Sequence, residues 1–337
     1  MGFPARRASA FPGKREEANR AGITPRILVG TIDHSTADGA EEGPFKSTGA
    51  AADKHLNLLE MPVEYRFPVN GIEIALWEWP GQDPAVFFCH ATGFHARCWD
   101  QVIAHLPGRH CYAIDARGHG HSSKPAPPYR WRNFGGDVAA LASQINLSDA
   151  IGVGHSMGGH SVTLSAALRP ASFASLLLLD PVIRSKNEYV GPWTQAQYVA
   201  KRRNRWTSPQ EMYERFESRQ PFDAWDRNVL RDYCDYGLLP DGAGFVLACP
   251  PEIEAGIYEN SPAPESNIYP EIESIQIPVQ IVRAGKKLDP ANFMAQSPTA
   301  PGLAASFQRA TDFADTDHSH FIPMEAPALT AKWIAAL

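Results

Sequence analysis

The 337-residue sequence has few of the features that mark membrane, disulfide-rich or nucleotide-binding proteins. It contains no run of about 18 apolar residues, so no segment is predicted to span a membrane. Its five cysteines are scattered and form no C-x-x-C pair, which argues against a zinc ribbon or a dense disulfide framework and favours reduced, partly buried thiols. The sequence has no cluster of metal ligands and neither the G-x-G-x-x-G nor the G-x-x-x-x-G-K-[ST] pattern, so no cofactor and no metal are predicted.

The sequence lacks a long run of basic residues, and its formal net charge is −6. Both features argue against nucleic acid or an anionic membrane surface as the main partner. The expected partner is a small apolar substrate, without stable insertion into a membrane. The expected state of the protein is a monomer or a homodimer.

Composition divides the chain into three parts. Residues 1–56 are rich in Gly, Ala, Ser, Thr and charged residues without an apolar period, which predicts a disordered extension. The early Arg6 and Arg7 weakly resemble an organelle transit peptide, and an over-called start is equally compatible; the expected compartment is the cytoplasm. Residues 57–181 and 271–337 are interpreted as one α/β core, and residues 182–270 as a helical cap.

The core sequence alternates strands with helices. A hairpin is predicted from residues 63–67 and 72–77, because the Asn70-Gly71 pair between them is a strong turn signal. Apolar runs predict further strands at residues 85–89, 110–114, 150–153, 174–179, 278–283 and 307–313. Apolar spacing predicts helices at residues 99–106, 134–145, 157–168 and 326–337. This alternation predicts an α/β fold with a mostly parallel sheet, flanking helices and right-handed crossovers.

The segment 182–270 contains no convincing strand. Ser208 and Glu211, with Pro209 at the first helical position, form a capping-box pattern that predicts the start of a helix. Ten aromatic residues lie between Trp193 and Phe245. Most of them are expected to form the core of this segment, and about a third are expected to face a pocket.

One serine carries the strongest signal for chemistry. The pattern G-x-S-x-G occurs as GHSMG at residues 154–158, between an apolar strand and an apolar helix. A nucleophilic serine needs this context, because its hydroxyl must stand above the sheet on a sharp strand-to-helix turn. The glycines permit close backbone approach, and the helix N-terminus favours negative charge nearby. Ser156 is therefore predicted to be a nucleophile.

A second signal is the loop that follows the strand at residues 85–89. Its sequence, CHATGF, contains small residues that let backbone amides point at a developing oxyanion. The amides of Thr92 and Met157 are predicted to form this oxyanion hole, and His90, Gly93 and Phe94 are predicted to contact substrate. His90 has an alternative interpretation as a buried histidine that fixes the loop.

Together these patterns resemble the serine hydrolase branch of the α/β-hydrolase superfamily, from about residue 63 to the end. The matching segments are HATG at 90–93 for the oxyanion loop, DARGHGHS at 115–122 for a D-x-R-G-x-G-x-S turn, GHSMGG at 154–159 for the nucleophile elbow, and SHFIPMEAP at 319–327 for the segment with the catalytic histidine. The resemblance implies the α/β-hydrolase fold with a helical cap. Asp115 and Arg117 in the second segment are expected to form a structural ion pair.

The resemblance also implies the partners of Ser156. It selects His320 as the base, because this histidine directly precedes an apolar residue and a later Glu-x-Pro; His318 is the alternative. The acid follows the serine and precedes the histidine in this fold. Asp289 is the preferred candidate, although it lies one residue later than the usual spacing after its strand, and Asp180, at the end of the preceding core strand, is the alternative. Asp180 has a second interpretation as a cap at the entry to the insertion.

The leading hypothesis is hydrolysis of an ester-like, thioester, lactone or amide bond of a small to medium apolar substrate through an acyl-enzyme. The same residues would also suit a C–C bond hydrolase, an acyltransferase, a cofactor-free lyase or a perhydrolase. A ligand receptor of this fold with a silent triad is the alternative outside enzymes. A dehalogenase or an epoxide hydrolase is disfavoured, because both need a carboxylate where Ser156 stands.

Overall fold

Eleven strands occur in the computed structural model, which describes residues 61–287 and 297–337. In chain order they are β1 Val63–Val69, β2 Ile72–Trp79, β3 Gln82–Cys89, β4 Arg109–Ile114, β5 Ala150–His155, β6 Phe173–Leu179, β7 Arg205–Trp206, β8 Leu238–Asp241, β9 Gly244–Leu247, β10 Val279–Ala284 and β11 Ala310–Asp315. Eight of them form one sheet in the order β1-β2-β4-β3-β5-β6-β10-β11. Its pairs from β4 to β11 are parallel, whereas β1 and β2 are antiparallel to their neighbours.

Nine α-helices connect or cover these strands within the described residues. They are α1 Asp100–Ala104, α2 Trp131–Gln144, α3 Met157–Leu168, α4 Pro209–Phe216, α5 Arg227–Tyr236, α6 Pro251–Glu259, α7 Tyr269–Ile272, α8 Ile322–Glu325 and α9 Pro327–Ala335. None of the helices in this part of the chain is long and apolar enough to cross a membrane.

The predicted α/β fold with a mostly parallel sheet is confirmed. The hairpin turns at Asn70 and Gly71, whose φ angles of 47° and 79° are those of a two-residue turn with both central residues in the left-handed region. The predicted helix at residues 99–106 is shorter than expected: a 3₁₀ turn at Ala96–Trp99 leads into the five-residue α1. The last strand begins three residues later than its apolar run suggested.

Alternation along the buried strands creates two cores, one on each face of the sheet. In β3, Phe87 faces one cluster with α2 and α3, whereas Val86 and Phe88 face another with α1 and α9. Successive strand side chains point to opposite faces, so a wholly apolar strand is covered on both sides. These covered strands hold the loops at their carboxyl ends in fixed positions.

The insertion, residues 182–270, differs from its prediction. Three short strands form a separate sheet in the order β7-β9-β8, where no strand was expected. Strands of two and four residues, one with Pro240 inside it, carry too little alternation to be recognised. The predicted helix start at Ser208 is present as α4, because the Ser208 hydroxyl accepts the Glu211 amide at 3.1 Å.

Candidate active site

Ser156 lies on a strained turn between β5 and α3. Its φ and ψ angles are 57° and −117°, a region that non-glycine residues rarely occupy. The turn is tight because a Cβ atom at Gly158 would lie only 2.0 Å from the Cys89 carbonyl oxygen, so glycine alone fits there. The geometry places the Ser156 hydroxyl at the carboxyl edge of the sheet, where ligands of open α/β sheets bind.

His320 reaches Ser156 from the loop between β11 and α8. Its Nε2 lies 3.0 Å from the Ser156 Oγ, and its Nδ1 lies 2.6 Å from the Asp180 Oδ2. A carboxylate only accepts hydrogen bonds, so Nδ1 carries the proton and Nε2 is free to accept the serine hydroxyl. All three side chains are buried, with residue exposures of 6%, 5% and 0% for Ser156, His320 and Asp180.

Asp180 follows β6 directly and is held by donors on both of its oxygens. Oδ1 accepts the Ala284 amide at 3.0 Å, the Thr299 hydroxyl at 3.3 Å and the Ser297 hydroxyl. Burial alone would raise the pKa of Asp180, but the hydrogen bond and charge of His320, with the Ser297 and Ala284 donors, lower it overall. The carboxyl is therefore held in its ionised form beside the imidazole.

The two candidate acids are thus separated by position. Asp180 contacts His320, and Asp289 lies outside the described residues. The two candidate histidines have different hydrogen-bond partners, and only His320 contacts Ser156. The His318 Nδ1 lies 2.7 Å from the Asp315 Oδ2, and its backbone carbonyl accepts the Lys286 amide, so the ring is engaged away from Ser156.

The loop after β3 approaches Ser156 from the neighbouring strand. The Thr92 hydroxyl lies 3.4 Å from the Met157 sulfur, which joins the two segments predicted to supply the oxyanion hole. The Met157 amide opens helix α3, where amides have no partner within the helix. Gly93 has a φ of 82°, and a Cβ atom there would lie 2.9 Å from the Glu254 Oε1, so this position also requires glycine.

Two buried histidines form hydrogen bonds with the backbone and do not line the cavity above Ser156. The His90 Nε2 accepts the Ala116 amide at 3.0 Å, and its Nδ1 contacts the Ala91 carbonyl at 2.7 Å. The ring does not line the cavity, which argues against the predicted contact with substrate and favours the loop-fixing alternative. His155 donates through Nε2 to the His320 carbonyl at 2.7 Å, and burial lowers the pKa of His155 to about 3, so it stays neutral while it positions the His320 backbone.

The expected ion pair between Asp115 and Arg117 is not formed. Arg117 instead makes two hydrogen bonds to Asp137, at 2.6 and 2.7 Å. The Asp115 carboxylate accepts the backbone amides of Ala96 and His121 at 2.8 and 2.9 Å, which satisfies it without a cation. Both groups are structural, but each has a different partner from the one that adjacency in sequence suggested.

A cavity of about 360 Å³ opens above Ser156 and His320. Thr92, Gly93 and Phe94 line it from the core, as predicted for the last two. Seven of the ten aromatic residues between Trp193 and Phe245 line it from the insertion, more than the third that was expected: Trp193, Tyr198, Trp206, Phe216, Phe222, Trp225 and Tyr233. The cavity is therefore aromatic on the side opposite the serine.

Sequence reasoning missed the polar groups of this site. Ser297 and Thr299 around Asp180, and the ion pair of Arg202 with Glu254 in the cavity wall, follow no local pattern. Glu254 is buried, which raises its pKa, although Arg202 opposes that shift. Within residues 61–287 and 297–337, no group of three or more His, Cys, Asp or Glu side chains is arranged to hold a metal ion.

Comparison with known proteins agrees with the fold. A model of the Alpha/beta hydrolase family matches residues 86–333. The 3-oxoadipate enol-lactonase 2 of Acinetobacter baylyi is 35% identical over 100 residues, which cover 29% of this chain and 37% of that protein. The chain thus spans well under half the length of this relative. The 2-(acetamidomethylene)succinate hydrolase of Mesorhizobium japonicum is 23% identical over 263 residues, which cover 75% of this chain and 87% of that protein.

A crystal structure of an E-2-(acetamidomethylene)succinate hydrolase superposes with a TM-score of 0.63 at 22% identity, over 82% of this chain and 98% of that chain. This likeness concerns the fold. The relatives are named as hydrolases, esterases, lipases and lactonases. Because the family model covers most of the described core, the chain belongs to the alpha/beta hydrolase family.

Proposed function

We propose that this enzyme hydrolyses an ester-like, thioester, lactone or amide bond of a small to medium substrate through an acyl-enzyme on Ser156. The observation that carries the proposal is the continuous series of hydrogen bonds from Ser156 through His320 to Asp180, at 3.0 and 2.6 Å. A serine hydroxyl is a weak nucleophile until a positioned base takes its proton. The relatives named as lactonases and esterases support the same class of bond.

The proposed mechanism has two halves. His320 takes the hydroxyl proton as the Ser156 oxygen attacks the carbonyl carbon, and Asp180 stabilises the imidazolium that forms. The amides of Thr92 and Met157 donate to the oxyanion of the tetrahedral intermediate. His320 then protonates the leaving group, and a water that it activates in turn hydrolyses the acyl-enzyme.

We further propose that the insertion acts as a cap over this reaction. Its aromatic side chains and the loop after β3 enclose one cavity above Ser156. An enclosed site excludes water from the substrate and strengthens the electrostatic interactions with the developing oxyanion. In this proposal the core supplies the reacting groups, and the insertion supplies contact with the substrate.

A fluorophosphonate probe tests the proposal directly. We expect the probe to label the wild-type protein at Ser156, and p-nitrophenyl esters to release a burst of p-nitrophenol as the acyl-enzyme forms. The Ser156→Ala variant should lose labelling and at least about 10⁴-fold of its ester turnover.

Ser165→Ala is the matched control, because Ser165 is a buried serine on the same helix whose hydroxyl has no hydrogen-bond partner within the described residues. This variant should be labelled like the wild type. A folded wild-type protein that neither reacts with the probe nor turns over any ester would contradict the proposed function.

A further inference from the structure

The charges that face the cavity are unlike those of the whole chain. The chain has a net charge of −6, yet four arginines and one carboxylate line the cavity: Arg202, Arg203, Arg215, Arg219 and Glu254. A cleft lined by one sign of charge attracts ligands of the opposite sign. The cavity of an acidic protein is thus positive, although ten of the 22 residues that line it are aromatic.

Two of these arginines are already neutralised by carboxylates. Arg202 is paired with the buried Glu254. Arg203 lies 2.6 Å from Glu211 and stacks over the Trp206 ring at 4.1 Å. These pairs explain how both guanidinium groups are accommodated without a ligand.

Arg215 and Arg219 are different, because neither forms an ion pair with any carboxylate in the described parts of the chain. Arg215 lies in the last turn of α4, and Arg219 lies three residues after this helix ends at Phe216, in a turn in which the Arg219 amide donates to the Phe216 carbonyl at 2.9 Å. Both side chains line the same cavity, and like charges that face one cavity repel each other. Glu211, one turn earlier, is engaged by Arg203 and does not relieve this repulsion.

The side chain between the two arginines is apolar and faces the same cavity. Phe216 stacks on Phe222 with ring centroids 4.3 Å apart and planes 5° from parallel. The exposed guanidinium groups therefore stand at the mouth, next to an aromatic wall that leads towards the buried Ser156. A ligand that satisfies both features has an apolar body and a charged end.

We infer that the substrate carries a carboxylate at the end remote from the bond that is cleaved, and that Arg215 and Arg219 bind this carboxylate at the mouth of the cavity. The planar guanidinium fork matches a carboxylate through charge-assisted hydrogen bonds. The inference rests on the proposed function, since it names the substrate class of the same site.

The test compares two p-nitrophenyl esters of equal chain length: the neutral hexanoate and the adipate half-ester, which has a carboxylate at its far end. The wild-type kcat/KM should be about tenfold higher for the half-ester, and this preference should fall as salt screens the arginines. In the Arg215→Gln/Arg219→Gln variant, the ratio of the two kcat/KM values should fall about tenfold or more, mainly through KM of the half-ester.

The matched control is the Arg130→Gln/Arg169→Gln variant, which removes the same charge from exposed positions that do not line the cavity. It should keep the wild-type ratio. A wild-type ratio of one or less, or an equal loss in both double variants, overturns the inference while hexanoate turnover still upholds the proposed function.

A binding measurement separates the two proposals if neither ester is turned over. Monophenyl adipate and phenyl hexanoate are titrated against the full-length Ser156→Ala protein, and binding is followed by the fluorescence of the tryptophans that line the cavity. Tighter binding of the adipate that is lost in Arg215→Gln/Arg219→Gln upholds the carboxylate site without catalysis. Equal or absent binding of both ligands overturns it.

Discussion

The two walls of the cavity are built on different principles. The core wall places Ser156, Asp180 and His320 directly after buried strands or in the loop that follows β11, and their side chains are almost fully buried. The insertion wall consists of short helices, a sheet with strands of two and four residues, and aromatic rings that stack on one another. Strand ends covered on both faces hold groups to the precision that proton transfer needs, whereas aromatic stacking offers area and shape.

Mutations in the core wall and in the insertion wall should therefore have different consequences. A change on the core wall should alter the chemical step, because it removes a charge or a proton acceptor from the reacting atoms. A change on the insertion wall should alter substrate binding, because it removes contact area. Experiments that separate kcat from KM therefore test whether the two walls have these different roles.

The largest effect is expected at Asp180. In Asp180→Asn, the amide cannot stabilise the His320 imidazolium and favours the wrong tautomer, so kcat should fall by about 10⁴-fold with little change in KM. Steady-state kinetics on a p-nitrophenyl ester, with circular dichroism to verify folding, measure this effect.

Asp289→Asn is the matched variant, because it makes the same replacement at the other candidate acid. It should retain activity within about threefold of the wild type, since Asp180 already occupies the His320 Nδ1. The opposite result, in which Asp289→Asn is inactive and Asp180→Asn is active, would assign the acid to Asp289.

The same contrast explains what could be predicted from the sequence. The hairpin at Asn70-Gly71 and the elbow at Ser156 depend on a few adjacent residues, so local patterns reveal them. The contact between Asp180 and His320 joins residues 140 positions apart, and no local pattern distinguishes Asp180 from Asp289. The resemblance to a family favours His320 over His318 as the base, but it leaves both Asp289 and Asp180 as candidates for the acid.

Two other differences have physical causes of the same kind. Asp115 was expected to pair with Arg117, but the backbone amides of Ala96 and His121 satisfy it first. The small sheet of the insertion depends on pairing between β7 and β9. Arg205 pairs with Val246, which lies 41 positions later, and α4, α5 and β8 lie between them in sequence. Such partners become visible only when the chain is folded.

An intermediate effect is expected at His160, which joins the core to the insertion. Its Nε2 donates to the Ser266 carbonyl at 2.8 Å from helix α3. Burial lowers the pKa of His160 to about 4, the Ser266 carbonyl and Glu271 oppose this shift, and Arg132 adds to it. The folded state therefore holds a neutral imidazole across the range in which the unfolded chain takes up a proton.

Because the unfolded state binds more protons between about pH 6.5 and pH 4, the stability that His160 contributes is present above this range and is lost as the pH falls through it. We expect this loss to be about 3 kcal/mol of unfolding free energy. Urea unfolding at several pH values measures it, and His160→Gln should show a shallower fall by about that amount. His105→Gln, at an exposed position, controls for the loss of one histidine; an unchanged slope in His160→Gln contradicts the prediction.

The smallest effect is expected on the insertion wall, at Phe222. This ring lines the cavity and stacks on Phe216, so Phe222→Leu should reduce apolar contact with the substrate and raise KM about tenfold while kcat changes less than about threefold. Phe245→Leu is the matched control, because Phe245 packs against the same cluster without lining the cavity, and its KM should stay near the wild-type value. If Phe222→Leu instead lowers kcat at constant KM, the insertion takes part in the chemical step, and the division of labour between the two walls is wrong.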